Sequence, residues 1–184
     1  MGSTTGVLEQ KMRRSFAMLD IDGDGHLVQS DMLALADRLA AAFGMSEDTA
    51  KINRLRSSLS QLWTKDFSAM AADSSGLNCT EYVAGMRKAV DNDQQGVLER
   101  LSEMIAAWMD IADTDGNGLI DEEEYITMYS KTLGASREDL KVAFARLDLD
   151  GNGTLDREEI HRAAIEYCSS DDPQAPGNWL FGGL

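Results

Sequence analysis

The residues best suited to chemistry in this chain are carboxylates, and they recur at a fixed spacing. Three segments read Asp-x-Asp-x-(Asp/Asn)-Gly: Asp20-Ile-Asp-Gly-Asp-Gly25, Asp113-Thr-Asp-Gly-Asn-Gly118 and Asp148-Leu-Asp-Gly-Asn-Gly153. Oxygens at alternate positions suit a hard cation. Calcium takes about six to eight oxygens, and a loop of about twelve residues supplies them from positions 1, 3, 5, 7, 9 and 12. The sixth position must bend sharply, and Gly25, Gly118 and Gly153 stand there. In the first loop the predicted donors are Asp20, Asp22, Asp24, the main-chain carbonyl of His26, and Asp31, with Val28 at position 9. In the next intact loop they are Asp113, Asp115, Asn117, the carbonyl of Leu119, Asp121 and Glu124. In the last they are Asp148, Asp150, Asn152, the carbonyl of Thr154, Asp156 and Glu159. A closing Glu reaches the ion with both oxygens, which suits calcium better than octahedral magnesium. Asp31 is one methylene shorter, so the first site is expected to admit Mg2+ more readily than the two Glu-closed Ca2+ sites.

Helices must hold each loop at both ends. Phe16, Met109 and Phe144 stand four places before the first Asp of each loop, and Leu19, Ala112 and Leu147 one place before, which is helical spacing. After the loops come the stripes Met32, Leu35, Ala36, Leu39; Tyr125, Met128, Tyr129; and Ile160, Ala163, Ala164, Tyr167. Leu27, Ile120 and Leu155 at position 8 predict short antiparallel ribbons between paired loops. A fourth helix–loop–helix unit is expected around Phe67, Met70, Tyr82, Met86 and Ala89. Its loop, counted from Ala71 to Glu81, has 11 residues and lacks the first carboxylate, so it is not expected to hold calcium. The extra length between Phe43 and Met70 predicts a long entering helix for this unit, and Asp91 to Gly96 a short joint between pairs. The expected fold is all-α: four units in two pairs forming one compact globule. Residues 1–90 would form the first pair, 97–170 the second, and 171–184 an apolar tail on the core.

Composition narrows the function. The 184 residues carry a formal charge of −15, so nucleic acid and anionic membrane surfaces are not expected as partners. No basic-then-apolar leader and no run of roughly 18 apolar residues is present, which predicts a cytoplasmic protein, read as a monomer. Gly2 does not complete a myristoylation motif, because Gly6 stands where Ser or Thr is required. Asn78-Cys79-Thr80 matches a glycosylation acceptor, which a protein without a secretion signal does not use. Cys79 and Cys168 form no metal or redox motif. No nucleophile motif or phosphate-cradling loop is found, so no enzyme is expected.

These residues resemble the four-hand calcium proteins of the sarcoplasmic calcium-binding protein and calerythrin type, over nearly the whole chain. The shared features are three live hands with the second inactive, a stretched N-terminal half, an Asp closing loop one, and a tail rich in aromatic and small residues. The resemblance implies EF-hands one and two facing hands three and four, and a cytosolic calcium buffer or signal modulator. In the tail, Pro173 and Pro176 are expected to end the last helix and send the chain away in extended form. Trp179, Leu180, Phe181 and Leu184 are then expected to plug the apolar cup between the halves, which opposes target capture. The alternative is a tail displaced by a target protein, making the chain a sensor. The ten Met residues are scattered over core stripes and so give no separate groove. The same broad family includes photoproteins and luciferin-binding proteins. Here His26 lies in a loop, His161 is expected to face solvent, and Trp63, Trp108 and Trp179 are read as core aromatics. Light emission is not expected, and binding of an apolar ligand stays open.

Overall fold

The computed structural model describes residues 6–46 and 49–183. Hand one is α1 (Val7–Leu19), the strand β1 (His26–Leu27) and α2 (Gln29–Ala42). Hand two begins with α3 (Ala50–Lys65), adds a 3-10 turn at Phe67–Ala69, and continues through β2 (Leu77–Asn78) into α4 (Cys79–Ala112). The far end of α4 enters hand three, which closes with β3 (Ile120–Asp121) and α5 (Glu122–Leu133). Hand four is α6 (Arg137–Leu147), β4 (Thr154–Leu155) and α7 (Arg157–Ser169).

Position 8 sets the ribbon register as expected. Leu27 faces Leu77 in the antiparallel pair β1–β2, and Ile120 faces Leu155 in β3–β4. The helix starts follow from side-chain caps. Ser136 accepts the Asp139 amide, and Asp121 and Asp156 accept the amides of Glu124 and Glu159, which return a bond to the cap. Gly134 ends α5 at a φ of 66°, a conformation that costs glycine nothing.

Two expectations need correction, one at hand two and one in the tail. The long entering helix of hand two is shorter than predicted: α2 stops at Ala42, and α3 begins only after its Thr49 cap. The joint at Asp91–Gly96 takes the form of a break inside α4 at Asp93, with φ −146° and ψ 65°. There the Asp93 carboxylate accepts the Gly96 amide at 3.1 Å and starts the second helical segment, as a cap does. The tail does not run out in extended form. Pro176, whose fixed φ suits the first turn of a helix, opens a 3-10 helix at Pro176–Trp179 that folds the chain back on α7 and α6.

One apolar core joins both halves, with α1 and α4 packed on α7 and α2 on α5. Trp108, Tyr125 and Tyr129 are fully buried at its centre. Phe181 of the tail enters this cluster, its ring 4.9 Å from Tyr167 and 6.0 Å from both Trp108 and Tyr129. Leu180 is also fully buried and Trp179 packs part-buried at the edge of the same core. Leu184 and the N-terminal segment 1–5, with Gly2, lie outside the described residues. Trp63 is a part-buried core neighbour, and His161 is exposed with its ring Nδ1 against the Ser102 hydroxyl.

Candidate metal centres

Each intact loop is held by its own carboxylates before any ion is considered. In loop one the amide of Gly25 donates to Asp20 at 3.1 Å, that of Asp24 to Asp22 at 3.2 Å, and that of His26 to Asp24 at 2.8 Å. In the third hand Gly118 donates to Asp113 at 3.2 Å, Asn117 to Asp115 at 3.0 Å, and Leu119 to Asn117 at 2.7 Å. The fourth repeats the pattern, with Gly153 to Asp148 at 2.9 Å, Asn152 to Asp150 at 3.0 Å, and Thr154 to Asn152 at 2.8 Å. These short-range bonds curl the chain so that side-chain oxygens converge. Such local turns are what Asp and Asn favour.

The convergence differs among the loops at position 12. One oxygen each of Asp113, Asp115 and Glu124 lie within 4.8 Å of one another, and so do those of Asp148, Asp150 and Glu159. Glu124 crosses its loop to accept the Thr114 amide at 2.7 Å, and Glu159 accepts that of Leu149 at 3.0 Å. In loop one the cluster is Asp20, Asp22 and Asp24 without Asp31. The Asp31 carboxylate accepts the Val28 amide at 2.9 Å on its own side of the loop, at 4% exposure. Burial raises its pKa, the Val28 N–H opposes the shift, and the carboxylates of Asp22, Asp20 and Asp24 add to it. Asp121 and Asp156 at position 9 serve as helix caps outside the gathered carboxylates, as fits a place often linked to the ion through water. His26 and Thr154 open the ribbon strands, and Leu119 directly precedes one.

The donor sets fit a hard divalent cation. They are all oxygen, they carry several negative charges, and Asp20 Oδ1 is buried with no hydrogen-bond partner among the described residues. A buried acceptor without a partner is costly unless a cation or water meets it. Loop two offers nothing comparable. Its Glu81 accepts the Asn78 amide in a helix cap, and Asp73 is turned to Ser75. The ribbon alone survives, with Gly76 pressed so close that an added Cβ would lie 2.8 Å from the carbonyl of Leu27.

Sequence reasoning missed two side chains that hold the entry to loop three. Lys51 of α3 donates to the main-chain carbonyl of Asp113 at 2.6 Å, and Arg54 pairs with Asp110 one turn earlier. The signal was visible: α3 carries four basic residues and no acid in a chain of strong negative charge.

Comparison with known proteins agrees with this geometry. Residues 9–130 match the family model of the EF-hand domain pair and residues 140–163 that of the EF hand. The chain is 29% identical over 117 residues to the sarcoplasmic calcium-binding protein of Perinereis vancaurica tetradentata, covering 63% of this chain and 64% of that protein. The match thus spans a little under two thirds of that relative's length. It is 23% identical to calerythrin of Saccharopolyspora erythraea over 89% of this chain and 93% of that one. Among solved structures, a Streptomyces coelicolor calcium-binding protein superposes with a TM-score of 0.68 at 27% identity, covering 87% of this chain and 96% of that one. The photoprotein clytin superposes with a TM-score of 0.73 at 24% identity over 95% and 92% of the two chains, a likeness of fold alone.

Proposed function

Because the chain belongs to the EF-hand family of calcium-binding proteins, whose members matched here are not enzymes, we propose that it holds three calcium ions and works as a cytoplasmic calcium buffer. The sites are Asp20–Asp31, Asp113–Glu124 and Asp148–Glu159, with magnesium admitted most readily at the first. Residues 1–90 and 97–170 act as two pairs of hands, closed by 171–184, in a monomer. Within each site the carboxylates supply charge, the position 7 carbonyls of His26, Leu119 and Thr154 supply neutral oxygens, and the closing residue completes the set. Bound calcium contributes a compact double charge that stabilises the curled loop.

The observation that carries the buffer reading is the seated tail. Phe181 and Leu180 occupy the space that a target helix would need. The remaining cavity, lined by Met12, Met86, Trp108 and Phe181 among others, is about 40 Å3, room for a few waters at most. Calorimetric titration with calcium, repeated in millimolar magnesium, tests the site count. Three sites are expected, with the first weakened most by magnesium. Four would restore loop two to the set, and two would remove loop one. Fluorescence of an apolar dye tests the role, and a large gain on adding calcium would defeat the buffer.

The likeness to a Streptomyces coelicolor protein described in connection with prokaryotic calcium-mediated regulation favours a second reading. In this second reading the tail of the present chain leaves and a target segment takes its place. The same dye measurement separates the two.

A further inference from the structure

The C-terminal tail is fastened to a helix of every hand whose loop is intact. On hand one, Lys11 of α1 is fully buried, and its ammonium donates to Glu166 O at 2.9 Å, Ser170 O at 2.7 Å and Asn178 Oδ1 at 2.9 Å. An ammonium has three donors, so none is wasted. The two carbonyls lie at the C-terminal end of α7, where the helix dipole is negative. That end has no basic residue of its own in its last turn. Lys11 therefore caps hand four from hand one and grips the tail through Asn178. Arg14, one turn on, donates to Phe181 O at 2.6 Å and to Gly183 O.

On hand three the fastening touches a candidate ligand's neighbour. Tyr125, directly after Glu124, donates its hydroxyl to Trp179 O at 2.8 Å and accepts the Gly182 amide at 3.3 Å. On hand four, Arg146, two places before Asp148, lies over the Trp179 ring at 5.8 Å. Among the described residues the ribbons offer hand one no such link, since β1 pairs there only with β2, of the hand without a carboxylate cluster.

We propose that the tail is the element through which the calcium sites of the two halves communicate, with positive sign. The proposal rests on the reading that the three loops bind calcium, and it adds the regulation of those sites. Gathered carboxylates and seated tail belong to one conformation. An ion that selects the gathered loop therefore favours the seated tail, and the seated tail favours the other gathered loops. Such a chain fills over a narrower range of calcium concentration than three independent sites would.

The test measures the affinity of site one, followed by the NMR resonance of the Gly25 amide, in four proteins. These are the full chain, the full chain with Glu124→Gln and Glu159→Gln, the chain ending at Ala175, and that shortened chain with both substitutions. Silencing sites three and four is expected to weaken site one about fivefold or more in the full chain and to leave it unchanged in the shortened one. An equal loss in both, or none in either, overturns the proposal. Should the shortened chain not fold, the full-length Tyr125→Phe and Asn178→Ala proteins replace it. Each is expected to shrink the ratio, and an unchanged ratio overturns the proposal. Hydrogen exchange gives a readout independent of titration: the amides of Leu180 and Gly182 should exchange more slowly with calcium, and faster exchange overturns it. Three bound ions with unlinked affinities would sink this proposal alone, whereas no binding at the loops would sink the calcium reading with it.

Discussion

Asp31, Glu124 and Glu159 hold the same place in their loops but stand in different positions. The two glutamates cross to the amides of Thr114 and Leu149, whereas Asp31 stays with the Val28 amide on its own side. All three accept the amide of position 9, but the side chain of Asp31 is one methylene shorter, and its loop also has Val28 where the others have Asp121 and Asp156. Replacing Asp31 by Glu should tighten site one for calcium about tenfold, roughly 1.4 kcal/mol, and raise its preference over magnesium, as competition titration would measure. The pH dependence follows from the same residue. Burial raises the native pKa of Asp31 above that of a free aspartate, so in the calcium-free protein the group takes up its proton at a higher pH than it does in the unfolded chain. Its ionised form costs native stability, which falls as pH rises through that native pKa. Calcium needs the ionised form. On acidification from neutral pH, protonation of Asp31 should therefore weaken site one, visible as loss of the calcium-shifted Gly25 resonance.

Hand two keeps a close backbone contact where the other hands gather carboxylates. Gly76 sits at φ 107°, and a Cβ there would meet Leu27 O at 2.8 Å and the Val28 side chain at 2.9 Å. Both the positive φ and the close approach demand glycine. Gly76→Ala should destabilise the protein by about 2 kcal/mol, measured by urea unfolding, and weaken site one through the strained β1–β2 ribbon. The register of that ribbon was legible from the position of Leu27 and Leu77. The break at Asp93 was legible only as a polar stretch, because the cap bond to Gly96 lets two helices run on through one short segment. The boundaries of α3 were misplaced for a related reason: apolar spacing continues across Phe43–Met45, and Phe43 is held against the core by tertiary packing rather than by helix.

Across the whole molecule, the excess of negative charge and the filled cup set the balance. Phe181 meets the rings of Trp108, Tyr129 and Tyr167 and is 4% exposed. Phe181→Ala should cost about 3 kcal/mol in unfolding free energy and give a dye-binding signal that the parent chain lacks. Cys168 reports on the same region. Burial pushes its thiol up to about 12, with Lys11 pulling the other way. Cys168 is half-buried, and a thiol kept protonated in this way alkylates slowly at neutral pH, so faster alkylation would report tail release.

The amino-acid sequence by itself determined the repeating loop, its candidate donors and the helices on either side, because each depends on residues within a dozen places of one another, and the shared place of position 8 in every loop set the ribbon register. It also showed hand two to be altered, since a missing carboxylate is a local fact. The tertiary structure alone decided where the tail goes and what holds it. Lys11 stands among the apolar positions of α1 beside Met12 and Phe16, a sign that something must satisfy its charge. The three acceptors lie more than 150 residues away, and no spacing rule connects them. Only the packing of α1 against α7 brings a buried ammonium, a helix end and the last turn of the chain to one point, because a charge without water must find every partner within reach of its three donors.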